Sequence, residues 1–97
     1  MYLVPGNAEE YRRRHSEIDK KVVQLLKDMG IRNYSIYLDE DTNVLIGVLE
    51  VEKPETLEEL KSYEAMKKWW QYMSDIMVTN ADRSPKLKEL REMFFLK

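Results

Sequence analysis

The spacing of apolar residues changes twice along this chain, and that change dictates its architecture. From Tyr11 to Met29, face-forming residues recur at intervals of four and three (Tyr11, His15, Ile18, Val22, Leu25, Met29), the stripe of an amphipathic helix. From Asn33 to Leu38 the period drops to two. Tyr34, Ile36 and Leu38 fall on one side and Ser35 and Tyr37 on the other, which predicts a strand. From Tyr63 the helical spacing returns, with Met66, Trp70, Met73 and Met77 on one face and Trp69, Tyr72 and Ile76 beside it.

The punctuation between these runs sets their ends. Asn7 suits a helix N-cap, Glu9 and Glu10 suit the positive end of the dipole, and Gly30 suits the C′ position. One helix is therefore predicted from Asn7 to Met29. Asp39 to Asn43 is a polar turn joining the strand to a second β-rich run, Val44–Val51, so the two form a hairpin. Gly47 inside that run marks a bulge or a close approach to the backbone. Lys53-Pro54 opens a second helical region. Met1–Val4 reads as a short first strand stopped by Pro5-Gly6, Val78–Pro85 as a loop, Lys86–Glu92 as a short helix and Met93–Leu96 as a last strand. The order is β-α-β-β-α-β. This is the ferredoxin-like α+β pattern, with both helices on one face of an antiparallel sheet. The whole of residues 1–97 forms a single domain. Tyr, Phe and Val on both faces of the strands imply that the other face is covered as well, by a second copy in a dimeric α/β barrel.

Composition narrows the chemistry. Sixteen basic and eighteen acidic residues leave a net charge of −2. The only basic run, Arg12-Arg13-Arg14, follows Glu9 and Glu10, so the concentrated cationic stripe of a nucleic-acid binder is missing. There is no cysteine and one histidine. That excludes disulfide scaffolds, thiolate zinc sites and cysteine nucleophiles, and an all-protein transition-metal site would have to be mostly carboxylate. No segment has the pattern of a secretion leader or of a membrane span, so a cytoplasmic, reducing location is expected.

His15 is the only side chain whose unperturbed pKa, ~6.5, lies near neutrality. It sits on the apolar stripe one turn after Tyr11, where it is either a hydrogen-bonded core histidine or a proton carrier. The aromatic residues are the second feature. Trp69, Trp70 and Tyr72, with Tyr11, Tyr34 and Tyr37, offer ring faces that stack on the C–H face of a sugar and polar tips that bond its hydroxyls. Read alone, Trp70 belongs to the core, whereas Trp69, rotated by about 100° on the helix, is free for a ligand. The carboxylates follow surface patterns, and no phosphate cradle, nucleophile elbow or zinc-protease motif is present.

Five segments taken in order carry a resemblance: Glu10-Tyr11-Arg12-Arg13-Arg14-His15, Asn33-Tyr34-Ser35-Ile36-Tyr37-Leu38, Trp69-Trp70-Gln71-Tyr72-Met73, Asn80-Ala81-Asp82-Arg83-Ser84-Pro85 and Met93-Phe94-Phe95-Leu96. Over nearly its whole length the chain resembles the L-rhamnose mutarotases. The resemblance implies a homodimer, no cofactor, no metal, and L-rhamnose as the small-molecule substrate, whose α and β pyranose forms are interconverted. It places the general acid on His15 and the sugar contacts on Tyr11, Tyr34, Trp69 and Trp70, which shifts Trp70 from core to site. Family members carry several residues before the position of Met1, so either the first strand, central in such a sheet, is short here or Met1 is not the natural start.

Interconversion opens the ring, rotates about C1–C2 and closes again. A group near pKa 7 can protonate the ring oxygen and accept the anomeric proton without a large penalty in either direction. The expected mechanism has His15 as acid toward the ring oxygen, with a second proton carrier unassigned. Two other readings fit the pattern: a non-catalytic dimeric module, and a cofactor-independent monooxygenase or haem-degrading enzyme. The latter rests on fold analogy alone.

Overall fold

The computed structural model describes residues Met1–Lys97. Its regular elements are α1 (Ala8–Ser16), α2 (Lys20–Asp28), β1 (Ile31–Asp39), β2 (Val44–Val51), a 3₁₀ helix (Pro54–Ser62) and α3 (Glu64–Met73). β1 and β2 form the expected antiparallel hairpin. The single helix predicted from Asn7 to Met29 is instead two. Asp19 leaves helical geometry, and its carboxylate accepts the Lys21 amide at 2.8 Å, capping α2. Asp bonds nearby backbone better at a cap than inside a helix, and here that preference breaks the run. Asn7 precedes α1 without capping it, because its side-chain amide donates back to the Val4 and Pro5 carbonyls. Gly30, at φ +79°, ends α2 as expected.

A bulge in β1 decides which side chains meet the helices. The register slips between Arg32 and Ser35, where Asn33 adopts φ +51°. Alternation would otherwise put Tyr34, Ile36 and Leu38 on the face opposite buried Ile31; the extra residue returns them to its side. Ile36 and Leu38 thereby pack against the core beneath the helices, and Tyr34, still partly exposed, lines a cavity on the same side.

Met1–Val4 lies against the outer edge of β2 as isolated bridges and forms no named strand. The Leu3 amide donates to the Asn43 carbonyl at 2.9 Å and the Leu45 amide to the Met1 carbonyl at 2.8 Å. On its other side the Val4 amide donates to Ile76 and the Val78 amide to Tyr2. The Tyr2–Val44 and Leu3–Met77 bridges are both antiparallel. Four segments thus lie side by side: β1, β2, 1–4 and 76–78. The last position is not filled by Met93–Leu96. Residues 86–97 form neither the expected helix nor a strand, and Met93, Phe94, Phe95 and Leu96 are exposed by 73–82%. Ile76 and Met77, which follow α3 directly, reach the sheet edge first and bury their side chains there.

Two apolar clusters fill the space between helices and sheet. Leu3, Tyr11, Leu45, Met73, Ile76 and Met77 form one, and Val22, Ile31, Leu60 and Met66 the other. Fully burying side chains of this size contributes roughly 1.5–3 kcal/mol each. Trp69 packs against both clusters and stands at their junction. No helix is long and apolar enough to cross a membrane.

Candidate active site

α1 presents Tyr11 and His15 one turn apart on its inner face. Their rings stack, with centroids 4.2 Å apart and planes 28° off parallel. His15 Nδ1 lies 3.0 Å from the Tyr11 carbonyl oxygen. A carbonyl only accepts, so Nδ1 carries a hydrogen and Nε2 is the nitrogen free to exchange a proton. The Trp69 indole meets the imidazole edge-on, at 5.2 Å and 86°. Burial lowers the His15 pKa below its usual 6.5, opposed in part by the Tyr11 carbonyl bond. The neutral imidazole, bare at Nε2, is therefore the resting form near pH 7.

The sheet supplies the opposite wall. Tyr34, Ile36, Leu38, Leu45 and Leu3 join Tyr11 and His15 around a cavity of about 490 Å³, with Glu9, Arg12 and Glu40 also on its lining. That volume falls in the range of small-molecule sites, as does the mix of apolar walls and a few polar groups. Burial raises the Tyr34 hydroxyl pKa; burial and then the neighbouring Tyr34 raise that of Tyr11. Both phenols stay protonated at neutral pH and are donors, not bases. Gly47 explains how Tyr34 fits. A Cβ at Gly47 would stand 3.3 Å from Tyr34 Cε1 and 3.6 Å from its hydroxyl, so the expected close approach is made by this ring.

Tyr11, His15 and Tyr34 thus share one cavity, and Trp69 touches its histidine. Trp70 lies apart, half-buried against the Val22 cluster and lining neither cavity. Trp69 itself lines not the first cavity but a second, slightly larger one of about 530 Å³, together with Tyr72 and mostly charged residues such as Glu17, Asp19, Lys21 and Lys68. It holds no histidine. Among His, Cys, Asp and Glu there is no grouping of three that could hold a metal ion.

One buried charge beside the site escaped the sequence reading. Arg14, 8% exposed, donates to Glu10, Asp75 and the Tyr72 carbonyl, and its guanidinium sits 4.5 Å over the Tyr72 ring. The signal was present in the spacing: Arg14 falls three residues after Tyr11 and four before Ile18, on the buried face of α1.

A small α+β domain that walls its only histidine with tyrosines and a tryptophan is the frame of a proton-transfer enzyme for a compact polar substrate. A sequence profile described as L-rhamnose mutarotase matches residues 1–96. The L-rhamnose mutarotase of Sinorhizobium fredii is 50% identical over 96 residues, covering 99% of this chain and 92% of that protein. Those of Burkholderia ambifaria and Listeria monocytogenes are 48% and 44% identical, with the same coverage. The crystal structure of L-rhamnose mutarotase FA22100 from Formosa agariphila superposes with a TM-score of 0.92 at 39% identity, covering 100% of this chain and 93% of that one. The chain belongs to the L-rhamnose mutarotase family.

Proposed function

We propose that this chain is an L-rhamnose mutarotase that interconverts the α and β anomers of L-rhamnopyranose, with His15 as the proton carrier. The observation that carries the reading is the imidazole itself: Nδ1 is committed to a carbonyl, and Nε2 is left as the single exchangeable nitrogen beside the tyrosine-walled cavity. Nε2 takes the proton of the anomeric hydroxyl as the C1–O5 bond breaks. The resulting imidazolium then gives that proton to the ring oxygen, acting as the acid expected from the resemblance. Rotation about C1–C2 and the reverse transfers complete the exchange. The two oxygens share one carbon, so one nitrogen reaches both and no second carrier is required. General acid–base help of this kind is worth typically ~10²–10⁴-fold.

Tyr11 and Tyr34, protonated throughout, hydrogen-bond the sugar hydroxyls; Trp69, which lines the neighbouring cavity and meets His15 edge-on, is kept for the C6 methyl on the resemblance. Trp70 stays in the proposal on the resemblance alone, given its seat against the second core cluster. The side-by-side order of β1, β2, 1–4 and 76–78 supports a ferredoxin-like sheet. Its uncovered face shows Tyr37, Ile46 and Val48, with Tyr2 and Val78 alongside. Apolar surface of that extent supports a homodimer with the two sheets face to face. A net charge of −2 without a basic stripe supports a small neutral substrate over nucleic acid. The lack of cysteine supports a cytoplasmic location.

The test is anomer-exchange NMR on a panel of 6-deoxyhexoses with and without the protein. Exchange of L-rhamnose should be accelerated most. No acceleration with any of them would favour a non-catalytic module and refute the proposal.

A further inference from the structure

Arg14 stands outside the proton-transfer chemistry yet is among the most elaborately bonded side chains in the molecule. Its Nε donates to Glu10 at 2.7 Å, Nη1 to both Asp75 Oδ1 and the Tyr72 carbonyl at 2.8 Å, and Nη2 to Asp75 Oδ2 at 3.1 Å. The fork onto Asp75 is bidentate, the geometry that guanidinium makes and ammonium does not. Tyr72 lies in the last turn of α3, where its carbonyl lacks a helical partner and a cation is favoured.

These contacts close a loop around the candidate site. On α1, Arg14 and His15 are neighbours; on α3, Trp69 and Tyr72 are one turn apart. Arg14 covers the Tyr72 ring at 4.5 Å, Tyr72 leans on Trp69 at 5.9 Å, and Trp69 meets His15 at 5.2 Å. α1 needs such a tether. It has nine residues, no side-chain N-cap, and ends one residue after His15; helices this short are marginal without tertiary contacts. We infer that Arg14 is a positioning residue, clamping the last turn of α1 to the carboxyl end of α3 and so setting where the His15 imidazole stands against Trp69. The inference rests on the reading of His15 as the proton carrier. Misplacement of a reacting group by 1 Å can cost about 10²-fold in rate.

The test uses the full chain with Arg14→Lys and Asp75→Asn, the second altering an exposed carboxylate so that folding is spared. Three quantities are read: kcat and KM for rhamnose anomer exchange, the melting temperature, and the NMR shift of the His15 ring proton Hε1, which senses the Trp69 and Tyr11 ring currents. We expect each variant to lose kcat by roughly ten-fold or more with KM little changed, and Hε1 to move, with Arg14→Lys failing to rescue. A lower melting temperature with kcat and Hε1 unchanged would make Arg14 merely structural and overturn the inference. If the unmodified protein gave no exchange, the reading of His15 would fail first, and an unmoved Hε1 in Asp75→Asn would still refute the positioning role.

Discussion

The His15 imidazole lies 4.2 Å from the Tyr11 ring, stacked on it, while its Nδ1 meets the carbonyl oxygen of that same residue at 3.0 Å. Tyr11 therefore does two things to one side chain. Its ring helps exclude water from the imidazole, which disfavours the cation, and its carbonyl fixes which nitrogen holds the hydrogen. Tyr11 is itself a buried member of the first core cluster, so the imidazole is held against the core.

A pH dependence follows. His15 has its pKa lowered from 6.5 by burial, so the unfolded chain takes up a proton before the folded one does as pH falls. Stability should hold above pH 6.5 and decline with falling pH across the window between the unfolded and folded pKa values, since there the unfolded state binds more protons. The exchange rate should fall over the same range, because protonation removes the Nε2 lone pair. Titration of Hε1 by NMR should give a midpoint below 6.5; a midpoint above it, or exchange that quickens as His15 becomes charged, would contradict this.

Gly47→Ala separates activity from stability. The added methyl forces the Tyr34 ring to give by a few tenths of an ångström, moving a wall of the cavity. Replacing Gly by Ala in a strand meanwhile gains about 0.5–1 kcal/mol of backbone entropy. Thermal unfolding should therefore change little, while steady-state exchange shows a several-fold higher KM. An unchanged KM would mean that Tyr34 does not touch the sugar.

The hairpin, the Gly30 stop and the grouping of Tyr34, Ile36 and Leu38 on one side were legible in the residues, because strand alternation and helix termination are local; that this side faces the helices was not, because the bulge at Asn33 decides it. The break at Asp19 was not. The apolar stripe runs straight across it, and only cap formation shows that a new helix begins. Met93–Leu96 misled for a different reason: apolar content marks what must be buried, not which segment reaches the sheet edge. Ile76 to Val78 reach it first. At the site, His15, Tyr11 and Tyr34 came from spacing and resemblance together. Arg14 was hidden inside the basic run Arg12-Arg13-Arg14, since its partners Tyr72 and Asp75 lie about sixty residues away in sequence.

The uncovered sheet face makes a prediction about assembly. Val48 is 54% exposed and pairs across the hairpin with Ser35, beside Tyr37 and Ile46. Val48→Glu would bury a charge in a face-to-face dimer but leave a lone subunit intact. Sedimentation velocity should find the unmodified chain dimeric and this variant monomeric, with far-UV circular dichroism unchanged. A monomeric unmodified chain would remove the dimer from the proposal.

The central claim is that the His15 imidazole carries the proton between the anomeric hydroxyl and the ring oxygen. Saturation-transfer NMR between the α and β anomer resonances of L-rhamnose, recorded with the unmodified protein and with His15→Ala at equal concentration, tests it most directly. The unmodified protein should speed exchange well above the buffer rate, and His15→Ala, folded by circular dichroism, should fall to near that rate, a loss on the order of 10²–10⁴-fold. Full exchange by the folded His15→Ala protein would show that the proton travels by another route.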